Sequence, residues 1–267
     1  MRCHVRDAAT VILALSLASL SSESRILPKT RPSLRSHTVG TDTHGMKTVP
    51  PLVLWAWERP EDLRFLDPTK AGVAFLAGTL RLGPKGMSYR PRLQPLQVPR
   101  ETSLVAVVRI ETVAGVALGP EIARRAAEEI ARAGRLPGVV ALQVDFDATT
   151  SQRSFYRELL VELRQQLPSS MPISITALTS WCIGDPWMAG LPIDEAVPML
   201  FRMGAGQAEV TNWMRLGHDF REAACRTSFG ISLDEPWPAL PSGRRTYAFS
   251  PSPWTERSLQ KLLREMP

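Results

Sequence analysis

Eight short apolar segments, at 52–57, 72–80, 103–110, 139–147, 173–181, 197–203, 226–233 and 246–250, constrain this chain more than any other feature. Each has the length of a β-strand, and helical periodicity separates several of them. Residues 120–133 place Ile122, Ala126 and Ile130 on one face, stop at Gly134 and meet Pro137. Residues 151–167 put Phe155, Leu159, Leu160 and Leu163 at helical spacing, with Ser151 as the predicted N-cap and Pro168 beyond the end. Further helices are predicted over 207–222, which Gly217 interrupts, and over 255–266, which Thr255 caps. Strands alternating with helices predict a parallel sheet. Eight of them within one domain predict an α/β fold, a single-domain, irregular (β/α)8 TIM-like barrel. The stretches 83–99, 183–194 and 234–244 read as helix-free, which is the irregularity. A doubly wound open sheet is the competing architecture, but no glycine-rich phosphate loop follows any strand.

The strand that ends in Leu142-Gln-Val-Asp-Phe-Asp147 carries the chemistry. Side chains alternate along a strand, so Val140, Leu142, Val144 and Phe146 form an apolar face. Gln143, Asp145 and Asp147 share the other. Two carboxylates at a strand's C-terminal tip are placed where a barrel builds its active site. Close neighbours raise one another's pKa, which a general acid needs near neutral pH. Asp147 and Asp145 are therefore the catalytic candidates, with Glu235 as a second carboxylate across the mouth. The competing reading is an acidic strand end that caps the next helix or sits in an ion-pair network.

Tryptophan is concentrated at the same rim. Trp55, Trp57, Trp181, Trp187, Trp237 and Trp254 lie at or just past predicted strand ends, and only Trp213 lies within a predicted helix. Glu58, Asp185, Asp234 and Glu235 accompany them, Arg109 and Glu111 end the third strand, and Arg202 ends the sixth. Aromatic faces among carboxylates and guanidinium groups suit a sugar, whose C–H face stacks on indole while its hydroxyls bond to Asp, Glu and Arg. The predicted substrate-binding set is Trp55, Trp57, Glu58, Arg109, Gln143, Trp181, Asp185, Met199, Arg202 and Trp237, with a carbohydrate as partner. Tryptophans that only close the barrel top are the alternative.

The net charge of +6 is uneven. Residues 1–50 hold seven Lys/Arg against three Asp/Glu, leaving the rest nearly balanced, and no basic helix points to nucleic acid. Residues 1–22 read as a signal peptide: a basic start, an apolar run over 8–20 and small residues after it. Residues 23–48 read as a disordered linker and 49–267 as the barrel. A periplasmic or secreted location follows, with no integral membrane segment after signal removal. A mis-called start, with Met46 as the true one, would make the protein cytoplasmic. No cofactor is expected and no zinc cluster is present; Mg²⁺ or Ca²⁺ on Asp145, Asp147 and Glu235 is a further alternative. Cys182 and Cys225 either pair in an oxidising compartment or remain free thiols, because strand end and strand start belong to opposite rims of a barrel.

The fourth strand resembles that of family-18 glycoside hydrolases, the chitinase group, whose pattern ends D-x-D-x-E. Gln143 takes the place of the first acid, Asp145 the second, and Asp147 the acid/base glutamate. The family's M-x-Y-D falls on Met199-Leu-Phe-Arg202, with Phe201 for the tyrosine and Arg202 for the aspartate. The resemblance implies a barrel glycosidase, although the tyrosine hydroxyl that would hold an acetamido group is missing. From about residue 51 to the C-terminus the chain also resembles an uncharacterised bacterial family, a domain of unknown function. The phrases are Trp55-Ala-Trp-Glu-Arg-Pro-Glu-Asp-Leu63, Arg90-Pro-Arg-Leu-Gln-Pro-Leu96, Leu142-Gln-Val-Asp-Phe-Asp147, Ser180-Trp-Cys-Ile-Gly-Asp-Pro-Trp187 and Asp194-Glu-Ala-Val-Pro-Met-Leu-Phe-Arg-Met203.

Overall fold

A computed structural model describes residues 45–266. The signal peptide and most of the linker predicted from the sequence lie outside the described residues. Eight parallel strands form the barrel within the larger sheet: β1 (Leu52–Ala56), β2 (Ala71–Gly83), β3 (Leu104–Thr112), β4 (Val139–Asp145), β5 (Ile173–Leu178), β6 (Glu195–Met199), β7 (Ser228–Ser232) and β8 (Arg245–Phe249). Each pairs with its sequence neighbour, and β1 also pairs with β8, so the sheet closes into the predicted barrel.

The helical layer is incomplete. Helices α1 (Pro120–Ala133) and α2 (Arg153–Gln166) pack outside β3, β4 and β5 through the apolar faces legible in the sequence. Helix α3 (Thr179–Ile183) is one turn, α4 (Gln207–Arg215) is short, and α5 (Glu256–Glu265) closes the chain. The predicted helix over 207–222 stops early because Gly217 turns into the left-handed region at φ 78°. Thr255 caps α5 as expected, its hydroxyl accepting the Ser258 N–H at 3.1 Å. The predicted cap Ser151 instead lies within a 3-10 turn, Thr150–Gln152, that precedes α2.

Period-two alternation divides the apolar residues into two clusters. Outward residues such as Leu142, Val144 and Ile175 pack under the helices. Inward residues fill the lumen: Val53 and Trp55 from β1, Val105 and Val107 from β3, Val197 from β6, and Tyr247 and Phe249 from β8. Met46, on the 3-10 turn Gly45–Thr48, is buried with them and plugs the floor, so the domain begins ahead of the expected boundary at 49.

The lower lumen holds an ion pair. Glu195 is wholly buried, pairs with Arg245, and accepts hydrogen bonds from the Tyr247 hydroxyl (2.8 Å) and Ser174 (3.1 Å). Arg245 also donates to the carbonyls of Met46, Val49 and Pro50, which ties the floor to the last strand. At the other end, Arg59 donates to Ser250 O, Pro251 O and Ser252 O, and pairs with Glu61 at 2.7 Å. Arg92 binds the carbonyls of Trp57 and Arg59. These arginines hold the loop after β1 in place at the mouth.

Two departures from regular (β/α)8 geometry matter for the site. No helix joins β2 to β3. Instead β2 runs on past the barrel and turns back as an antiparallel strand, Gly86–Pro91. The second departure is the disulfide between Cys182 and Cys225, whose Cα atoms are 5.9 Å apart. The separation expected from opposite rims fails because neither cysteine is in a strand. Cys182 is in α3 and Cys225 in a 3-10 turn before β7, both buried in the layer outside the sheet.

Candidate functional site

The acids of β4 arrive at the C-terminal rim as predicted. Inward residues on adjacent strands lie side by side, and the register pairs Arg109 of β3 with Asp145 of β4. Asp145 is buried. Its Oδ2 accepts from Arg109 Nη1 at 2.7 Å and its Oδ1 from Thr176 Oγ1, on β5, at 2.8 Å. Arg109 Nε also lies 3.8 Å from Glu111. The alternation Ser174–Thr176 in Ile173-Ser-Ile-Thr-Ala carried the signal for Thr176, although its role was not foreseen.

Asp147 leaves the end of β4 with its side chain open to solvent. Surrounding protein still thins its hydration, and this pushes its carboxyl above the ordinary aspartate value. The charge on Asp145 pushes the same way, and Arg109 pulls back less strongly. Among the described residues no hydrogen bond holds Asp147 as a helix cap, the caps before α2 being Thr149 and Gln152. Gln143 lies one rung below, fully buried, donating to Ser174 Oγ at 2.8 Å and leaving Oε1 without a partner.

The opposite arc of the mouth is aromatic. Trp55 stacks on Phe249 with ring centroids 4.4 Å apart, and Trp57 and Phe201 flank them at 6.1 and 4.8 Å from Phe249. Met199 reaches this cluster over Gly230, where a Cβ would sit 2.6 Å from its sulfur. Trp55 is 1 % exposed and serves as lumen packing, whereas Trp57 and Phe201 keep part of their faces open. Above them lies a cavity of about 210 Å³, lined by Trp57, Phe201, Phe249, Arg202, Ser232 and Ser250 among others. A larger one, about 560 Å³, lies beside the floor and is lined by none of the predicted site residues.

Arg202 borders the aromatic cavity and is the one non-glycine residue with positive φ (52°) among the described residues. Such a backbone persists only when its surroundings hold it. Glu235 does so, its Oε2 accepting the Arg202 N–H at 3.0 Å. The Arg202 guanidinium is 67 % exposed and lies 3.8 Å from Asp234 and 3.9 Å from Glu235. The Ser232 hydroxyl donates to Asp234 and is the main reason that carboxyl is held below its ordinary value.

Several predicted site residues lie elsewhere. Trp181 was expected at a strand end, but β5 stops at Leu178 and Trp181 falls in α3. It is buried in the outer layer, edge-on to Trp187 at 5.0 Å. Asp185 pairs with Arg153 of α2, and Arg153 also covers the Trp187 ring, so Asp185 braces the outer layer. Trp254 is buried there too, its Nε1 donating to Trp55 O. Trp237 packs against that layer and donates from Nε1 to Ser232 O at 2.8 Å, so it supports the rim from outside. Glu58 accepts the Leu93 N–H at 2.9 Å and fastens the loop after β1. The indole ring of tryptophan is amphipathic, and position along the chain alone does not tell a rim platform from a strut behind it.

Among the described residues no group of three or more His, Cys, Asp or Glu is arranged to hold a metal ion. No described helix is long and apolar enough to cross a membrane. No curated protein matches the chain. Residues 100–199 match a domain of unknown function, DUF3142, and this span runs from β3 through β6 and contains Arg109, Gln143, Asp145, Asp147 and Thr176.

Proposed function

We propose that the protein takes a polysaccharide across the C-terminal mouth of its barrel and cleaves it with Asp147 as general acid. The observation that carries this reading is Asp147 itself, open to solvent at a strand end, with its pKa raised by thinned hydration and by Asp145. A raised carboxyl pKa is the direction a general acid needs in order to hand its proton to a leaving glycosidic oxygen. Asp145, fixed by Arg109 and Thr176, supplies the fixed negative charge beside it. Glu235 is the second carboxylate on the far arc, and the partly open rings of Trp57 and Phe201 offer a face for a sugar's C–H groups. The resemblance of the fourth strand to chitinase-type barrels points the same way. The Cys182–Cys225 bond supports an oxidising compartment, and with it export.

One observation favours a second reading, a glycan-binding barrel without turnover. Both supporting carboxylates are already engaged, Asp145 by Arg109 and Thr176 and Glu235 by the Arg202 main chain. The test is reducing-end release from bacterial polysaccharides and peptidoglycan by the parent and by Asp147→Asn. Release by the parent that falls by ~10²-fold or more in the variant supports the general acid, since that is the lower range of what such a group contributes. Retention on a glycan without release by either protein supports the binding reading, and neither release nor retention overturns both. Fusing residues 1–48 to alkaline phosphatase tests export, with activity of the fusion expected in cells.

A further inference from the structure

The projecting lip of the barrel has two unlike faces. Strand Gly86–Pro91, the end of β2 and the end of β3 run side by side, and their register places Arg90, Thr79 and Arg109 in one rung with Asp145 next to them. The rung above holds Ser88, Arg81 and Glu111. All of these continue the inward face of the barrel, because Arg109 on that face reaches Asp145. The alternate residues, Met87, Tyr89, Leu80, Leu82 and Ile110, pack on the other side with the outer layer. Gly78 lets Tyr89 lie there, since a Cβ at that position would come 2.3 Å from the Tyr89 hydroxyl. Thus the mouth-side face of the lip is hydrogen-bonding throughout, and the sheet rises beyond the last rung of β4 with α1 packed against its other face.

Two arginines on this face stand without a partner among the described residues. Arg81 and Arg90 are both exposed, and neither guanidinium has a hydrogen bond or an ion pair among the described residues. They stand on neighbouring strands two residues apart in register, a diagonal relation that brings long side chains within reach of one another's ligands. Glu111 is the register neighbour of Arg81, but its carboxylate approaches Arg109 instead. A guanidinium presents a planar fork of donors that matches a carboxylate.

We infer that the lip reads an acidic polysaccharide, with Arg81 and Arg90 binding carboxylate groups of a chain whose next units lie in the mouth. This rests on the reading of the mouth as a saccharide site and names the class of glycan it takes. A neutral glycan offers these guanidinium groups hydroxyl acceptors but no countercharge, whereas a carboxylate offers a charged, two-oxygen match. A nucleic acid would be expected to meet aromatic stacking platforms among the basic residues, and the lip face has none.

The experiment measures retention of the full-length protein on polygalacturonate and alginate, on neutral dextran and xylan, and on single-stranded DNA, at low and at physiological salt. The expected result is at least about ten-fold tighter retention on the acidic glycans, the scale of two exposed ion contacts, weakened by salt. Arg81→Gln/Arg90→Gln should bring it down to the neutral level with an unchanged melting temperature. Equal retention on acidic and neutral glycans, or an acidic preference that survives the double substitution, overturns the lip inference alone. DNA held as tightly as the polyuronates overturns it in favour of a nucleic-acid surface. A parent that holds no glycan of either kind overturns the saccharide reading as well.

Discussion

Asp147 at the rim and Glu195 in the lumen are both carboxylates of the barrel, and they differ in what surrounds them. Glu195 sits among Arg245, Tyr247 and Ser174, every one of which donates to it. Removing its charge leaves the Arg245 guanidinium uncompensated, so Glu195→Gln is expected to destabilise the fold by about 3–5 kcal/mol, read by urea unfolding. Asp147 works the other way. Its folded pKa lies above its unfolded value, so the native state holds that proton more tightly than the unfolded chain does. The associated stability is complete below the ordinary value of 3.8 and is lost as pH rises through the raised one. Asp147→Asn should therefore raise the melting temperature at pH 7 and leave it unchanged near pH 3; a gain of equal size at both would contradict this. Asp145 was legible because period-two alternation puts it on the inward face, whereas Asp147 lies two residues past the end of β4, where that alternation no longer applies. Glu195, Arg245 and Tyr247 were not, because their meeting is set by register across three strands far apart in sequence.

The eight strands were legible one by one, with ends within a few residues, since apolar runs of that length have few other uses in a chain this polar. The connections were less so. Segment 173–181 reads as one strand, yet it breaks at Leu178 and coils into α3, and this single misreading carried Trp181 from the mouth to the outer layer. Nothing local marks the change, because Thr-Ser-Trp-Cys-Ile suits either conformation. Of the two outcomes the sequence leaves open for Cys182 and Cys225, pairing holds, because neither cysteine lies in a strand. Their bond closes a loop spanning 43 residues. By chain entropy that closure is worth about 4 kcal/mol, so Cys182→Ser/Cys225→Ser should lower the urea midpoint accordingly, and reduction of the parent should do the same. Strand β6 is weakly tied to β7, meeting it at Gly230 and Met199 alone. Pro198 has no N–H to give, and the barrel seam is thin there. Hydrogen exchange should find the β6 and β7 amides less protected than those of β3 and β4, and equal protection would argue against a weak seam.

The described residues form a barrel whose two arcs have different trades. One, from β3 to β5, carries the charged rim and lies within the span matching the domain of unknown function. The other, from β6 round to β1, carries the aromatic filling and the strained Arg202. Closing them into one mouth depends on bonds between the two ends of the described chain. Arg245 donates to Pro50, Arg59 to Ser250, and Trp254 to Trp55, across separations of 195, 191 and 199 residues. A chain emerging N-terminus first must therefore carry β1 with its edge bare and Glu195 without its cation until nearly the last residues are made. Synthesis and completion of the fold are separated in time, and β1 keeps an unpaired edge from its own emergence until β8 arrives.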